Sequence, residues 1–191
     1  YRNGNYLTNY VGMAGRSGAT NYNVSYNRQD DGGILPFHEG AQRHNFRINV
    51  DQSVAKNMTV SASALYSRTR ASSNDGNIFQ LTRMPAGVDL MAPDPNIEGA
   101  IIIKPDPFNA NVNPLYTMST TENYYVRGRY LGSVLARWAP LDWFNLEGNV
   151  SYDRLDYFSE GFRPKPIYSA TFVRSEGSLS RTNTRTDGMN A

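Results

Sequence analysis

Apolar and polar residues alternate one by one along much of this chain, most regularly from Gln42 to Arg70. In QRHNFRINVDQ, Phe46, Ile48 and Val50 alternate with Asn45, Arg47, Asn49 and Asp51. In MTVSASALYSRTR, Met58, Val60, Ala62, Ala64 and Tyr66 alternate with Thr59, Ser61 and Ser63. A period of two puts successive side chains on opposite sides of a strand, so each arm has one apolar and one polar face. The link through Lys56-Asn57 is too short for a helix, and the arms are predicted to pair as an antiparallel hairpin. Each arm matches the roughly 9 to 11 residues with which a tilted strand crosses a bilayer.

The same pattern predicts further strands. Asn5 to Gly15 sets Leu7, Val11 and Met13 against Gly12 and Ala14, and a tight turn at Arg16-Ser17-Gly18-Ala19 follows. Asn21 to Arg28 sets Tyr22, Val24 and Tyr26 against Asn23, Ser25 and Asn27. A longer connection runs from Gln29 to Ala41. Beyond the hairpin lies a very long insert, Ala71 to Glu122, whose six prolines forbid a regular sheet. Within it, Asn74-Asp75 is predicted to cap a short helix from Gly76 to Met84, ended by Pro85 and showing Phe79 and Arg83 on one side.

Strands resume at Asn123 to Ala139, where Val126, Gly128, Tyr130, Gly132, Val134, Ala136 and Trp138 share a face. Arg127, Arg129, Ser133 and Arg137 lie opposite, interrupted by Leu131 and Leu135. After the turn Pro140-Leu141-Asp142, Trp143 to Tyr157 sets Phe144, Leu146, Gly148, Val150 and Tyr152 against Asn145, Glu147, Asn149, Ser151 and Asp153. Ser159 to Glu176 is expected to be a long loop, and Gly177 to Ala191 a strand just beginning.

Connections therefore alternate between short and long. In an up-and-down sheet this places every tight turn at one end and every long loop at the other, as in outer-membrane barrels. Trp138 and Trp143 flank a tight turn, while Tyr66, Tyr152, Tyr157 and Phe158 lie toward the long loops, as two interfacial girdles require. The apolar faces carry no charge, and a charge facing mid-bilayer lipid costs roughly 2 to 4 kcal/mol. A protein core would select the same separation. The fold class expected is therefore all-β: an antiparallel up-and-down transmembrane barrel, represented by about six or seven strands.

Composition changes this picture little. The mean hydropathy of -0.56 resembles that of a soluble protein, but a membrane barrel hides its apolar residues by alternation. The longest aliphatic run, Ala100 to Ile103, is far too short for a membrane helix. A net charge of +2 argues against a dedicated nucleic-acid binder. The absence of cysteine removes disulfides and zinc-thiolate chemistry. Tyr1 to Tyr10 has no secretory pattern, and the chain is expected to be an interior piece of a larger protein.

Candidate chemistry is sparse, and no catalytic, cofactor or metal site is expected. His38-Glu39 and His44 lack zinc-site spacing. Asp30-Asp31-Gly32-Gly33 reads as a turn rather than a calcium loop. Asn-x-Ser/Thr at Asn23, Asn57 and Asn149 falls on or beside strands, consistent with chance. Arg47, Arg127, Arg129 and Arg137, with Glu147 and Asp153, are candidates to line a lumen or contact a plug, or else to balance one another's charge. The aromatics Phe79, Phe108, Tyr116 and Phe162 are placed in long loops, where they could stack on a ligand, meet a lid protein or pack among themselves.

The succession TNYNVSYNRQDDGGIL and RHNFRINVDQSVAKNMTVSASALYSR resembles the barrel of SusC/RagA-type TonB-linked outer-membrane transporters. Asn113-Pro114-Leu115 before a strand, and Pro-Leu-Asp-Trp-Phe from Pro140 to Phe144, are similar to that family too. The individual motifs are loose and their order is the specific feature. The resemblance implies a barrel of about twenty-two strands filled by a plug and lidded by a SusD-like lipoprotein. It also implies TonB-driven import of oligosaccharides or peptides across the bacterial outer membrane. No plug or TonB box is found here, so the chain is expected to be barrel wall with the long loop 71–122. Two other classes stay open: a complete small pore or adhesin barrel, and a soluble carbohydrate-binding β-sandwich with Val60, Val134 and Val150 in a shared core.

Overall fold

A computed structural model describes residues 3–73, 77–106, 111–165, 167–168, 173–174 and 176–191. Seven long strands form one antiparallel sheet: β1 (Tyr6–Ser17), β2 (Thr20–Asp31), β3 (Ala41–Ala55), β4 (Met58–Ser72), β5 (Glu122–Leu141), β6 (Phe144–Arg163) and β9 (Ser178–Asn190). Each pairs with the next in sequence, so the sheet is an up-and-down meander. Its outer strands are β1 and β9, and no ladder joins them among the described residues. Helices α1 (Asn77–Thr82) and α2 (Pro114–Thr120) lie in the insert, and a two-residue ladder, β7 (Ile167–Tyr168) with β8 (Val173–Arg174), lies between β6 and β9.

Register follows the alternation. Tyr26 pairs with Phe46, Phe46 with Tyr66, and Tyr66 with Tyr130. Ala62 pairs with Val134 and Val134 with Val150. Directly opposed residues point to the same side, so one slip would turn every apolar row over. Gly18, with φ of 59°, makes the β1–β2 turn that a side chain would strain, and Arg16 Nε donates to its carbonyl.

Several strands outrun the expected boundaries. β6 continues through Arg163 because Phe162 pairs with Glu122 on one side and Arg163 with Ser178 on the other. The expected loop thus starts about five residues late and contains the β7–β8 ladder. The final segment is a full strand along β6 rather than a beginning. Ladder hydrogen bonds continue past the point where one face stops being apolar, so periodicity ends before pairing does.

The insert makes no long strand, as its prolines dictate; one isolated bridge, Pro93 to Ile101, is found among its described residues. Asn113-Pro114-Leu115 does not lead directly into a strand: Asn113 caps α2, with Pro114 in the first turn. The small core lies here. Leu35, from the β2–β3 loop, packs with Leu115 and Met118, and Leu81, Leu90 and Ile101 close around them. Asn113 is fully buried at the centre.

The sheet has no comparable core. Val134, Val150 and Leu146 are 50%, 46% and 54% exposed on its apolar face. In a two-sheet sandwich these residues would interleave with a facing layer. No described helix is long and apolar enough to cross a membrane, which does not bear on strands.

Candidate functional site

The polar face is built by alternate residues of five consecutive strands, β2 to β6. Ser25 lies opposite Arg47, Arg47 opposite Leu65, Leu65 opposite Leu131 and Leu131 opposite Asp153. One row along, Asn23, Asn49, Ser63, Ser133 and Ser151 form a continuous uncharged band, tied by a 2.8 Å bond between the Ser63 and Ser133 hydroxyls. A depression of about 500 Å³ opens on this face, lined by Asn49, Asp51, Ser63, Ser133, Glu147 and Asn149 among others.

All six charged candidates, Arg47, Arg127, Arg129, Arg137, Glu147 and Asp153, share this face. Arg129 grips Asp153 with a two-pronged contact, Nε to Oδ1 at 3.0 Å and Nη2 to Oδ2 at 2.5 Å. The pair is diagonal, since Arg129 stands opposite Leu155. Arg137 stands opposite Glu147, with Nε 2.9 Å from Oε2. Forked arginine–carboxylate geometry is specific, but both pairs are half-exposed and add little stability. Arg47 and Arg127 make no ion pair among the described residues. Among the described residues the six therefore form two balanced pairs and two cations without an ion pair.

The loop aromatics are not one cluster. Phe79 projects from α1, 65% exposed, with the Arg83 guanidinium 5.9 Å from its ring centre. Tyr116 lies on α2 and is only 6% exposed, so it is part of the insert's packing. Phe162 lies within β6 rather than in a loop, opposite Glu122 and Leu179. Phe108 lies outside the described residues. Burial raises the pKa of the Tyr116 hydroxyl, and a backbone hydrogen bond from Tyr168 partly opposes that rise.

A cleft of about 460 Å³ at the same end is lined by Phe37, His38, Glu39, Arg70, Met118, Glu122 and Tyr124 among others. Sequence reasoning did not single it out, because it is assembled from segments far apart in the chain. Its one local signal is Phe37, a non-glycine residue at φ 61°. The neighbouring histidines are held apart: His38 Nδ1 accepts from the Gly40 amide, while His44 Nδ1 lies 2.7 Å from the Tyr26 hydroxyl. Asp31 closes a turn by accepting from the Gly33 amide.

The apolar face is bounded at both ends. Toward the short turns lie Met58, Trp138 and Leu146, with the Trp143 and Phe144 rings 6.0 Å apart beyond them. Toward the long loops, Tyr26, Phe46, Tyr66 and Tyr130 form an aromatic row. Tyr157, expected in that girdle, stacks instead on Tyr125 on the polar face. Tyr152 stands mid-face opposite Gly132, and Phe158 packs beyond the row with Tyr124.

Fold and faces together define an antiparallel up-and-down sheet with one exposed apolar side and one polar, arginine-bearing side. No protein-family model matches the sequence, and no curated protein matches it.

Proposed function

We propose that this chain forms part of the wall of an outer-membrane β-barrel, in a TonB-dependent importer of the SusC/RagA type that takes up oligosaccharides or peptides. The observation that carries the membrane part is the uncovered apolar face. From Met58 to Tyr66 its band is about 27 Å long at about 3.4 Å per residue. Tilted by about 40°, it stands about 20 Å tall, close to the roughly 25 Å apolar band of outer-membrane barrels. A contiguous apolar surface of this extent is uncommon on a protein bathed in water.

In this arrangement the polar face borders the lumen, and the long connections, including the packed insert, stand outside the cell. Unpaired edges at β1 and β9 are filled by further strands of the same barrel. The order of sequence motifs supports the importer class; the lid lipoprotein and TonB engage other parts of the protein.

Because the segment contains no cysteine, single replacements within it can report each face in the full-length protein after any cysteine elsewhere is replaced by serine. A bimane on Val134→Cys is expected to be quenched by brominated lipid. Ser133→Cys, one residue along, is expected to react with a water-soluble maleimide and to escape quenching. An unquenched probe at position 134 sinks the membrane reading. Ligand uptake is expected to stop when the inner-membrane proton gradient is dissipated; uptake indifferent to the gradient indicates a passive pore instead.

A further inference from the structure

We infer that the apolar face carries, just beyond its tyrosine row, a binding surface for the phosphate of an anionic lipid headgroup, centred on Arg28, Arg68 and Arg70. The inference rests on the membrane-wall reading and names a partner for that same face. Arg28 is opposite His44 and His44 is opposite Arg68, so the three share one row across β2, β3 and β4. Arg70 lies two residues further along β4 on the same side. This row follows the Tyr26–Phe46–Tyr66 row by two residues, about 7 Å along the strands. Tyrosines mark the level where hydrocarbon gives way to headgroups, and the anion met at that level is a lipid headgroup phosphate.

Charge on these strands is not fully cancelled. Arg28 Nε lies 2.8 Å from Asp30, and Arg70 reaches Glu39 only at 3.8 Å while covering the Tyr124 ring at 4.8 Å. Arg68 is exposed and has no carboxylate partner among the described residues. Beside it on β5 stands Gly128, where an added Cβ would meet only the edge of Tyr130, at 3.8 Å. The missing side chain leaves room next to the Arg68 guanidinium. Further along the sheet, Arg154 with Asp156 and Arg185 with Asp187 are balanced, so the cationic excess is local. Strands spaced about 4.8 Å apart put Arg28 and Arg68 about 10 Å from each other, a span suited to headgroups in one leaflet. Arginine forks bind phosphate in two-pronged fashion, and their apolar stems lie on the tyrosine row below.

The test uses the full-length protein in neutral detergent and native mass spectrometry. Phosphatidylglycerol is expected to be retained at least fivefold more than phosphatidylcholine, and inorganic phosphate not to compete at equal concentration. Arg28→Gln/Arg68→Gln/Arg70→Gln is expected to abolish that preference, and Arg68→Gln alone to reduce it at least twofold should the triple variant assemble poorly. Lys56→Gln, at the opposite end, is expected to leave it unchanged. Equal retention of both lipids by the unaltered protein, an undiminished preference in the arginine variants, or efficient competition by free phosphate overturns the inference. Those outcomes are separable from failure of the wall reading, which shows itself in the bimane experiment whatever lipids are retained.

Discussion

The side-chain amide of Asn113 donates to the carbonyl of Leu90 at 2.8 Å, joining positions more than twenty residues apart in the sequence. The same amide donates to Ile102 O at 2.7 Å, and its oxygen accepts from the Leu115 amide at 3.0 Å. One buried side chain thus satisfies two loop carbonyls and starts a helix. Asn113→Ala orphans both carbonyls and removes the cap, a loss of about 3 kcal/mol. The insert is expected to become sensitive to protease between β4 and β5 while the sheet stays protected. Unchanged cleavage after this substitution would show that the insert is held by its apolar contacts alone.

Tyr116 gives the insert a pH dependence. Burial raises the hydroxyl pKa above its ordinary value of 10.0. Below 10 the phenol is neutral in both folded and opened states, so its contribution is fully present. Above 10 the opened state ionises first, and stability is lost as pH rises toward the folded pKa. Protection of the insert from protease is therefore expected to fall above pH 10, and Tyr116→Phe to flatten that fall. A decline just as steep in the phenylalanine variant would assign it to other groups.

What the sequence disclosed and what it hid divide along a physical line. The β3–β4 hairpin was legible because Phe46, Ile48 and Val50 need a different environment from Arg47 and Asn49, and that demand writes a period of two. It also placed Arg47, Arg129, Arg137, Glu147 and Asp153 on one face, since parity along a strand fixes side. Beyond Tyr157, Ser-Glu-Gly-Phe-Arg has no such contrast, and only ladder bonds to β5 and β9 keep it extended. Tyr157 lies near the long loops but shares the odd parity of Asp153, and along a strand parity rather than height decides the face. The second helix left a signal, Asn113-Pro114, that matches an N-cap followed by a first-turn proline. Packing of Leu35 against Leu115 and Met118 left none, because contacts eighty residues apart have no local period.

Gly40 separates strain from collision at the base of the long loops. Its φ is 80°, and a Cβ there would stand 1.9 Å from the carbonyl oxygen of Asp31 and 2.8 Å from the carbonyl carbon of Gly32. Both are backbone atoms, so no rotamer change can relieve the contact. Gly40 also accepts from the Ser72 amide at 3.0 Å, linking the β2–β3 loop to the end of β4. Gly18 has a similar positive φ of 59° but open space around its missing Cβ. Gly18→Ala should therefore show only backbone strain, about 1 kcal/mol. Gly40→Ala adds a collision that the loop must open to escape, and about 3 kcal/mol or more is expected. Thermal unfolding of the two variants side by side measures the difference. Equal losses would mean that the 32–40 loop yields without effort, and that Gly40 is not what holds it against β4.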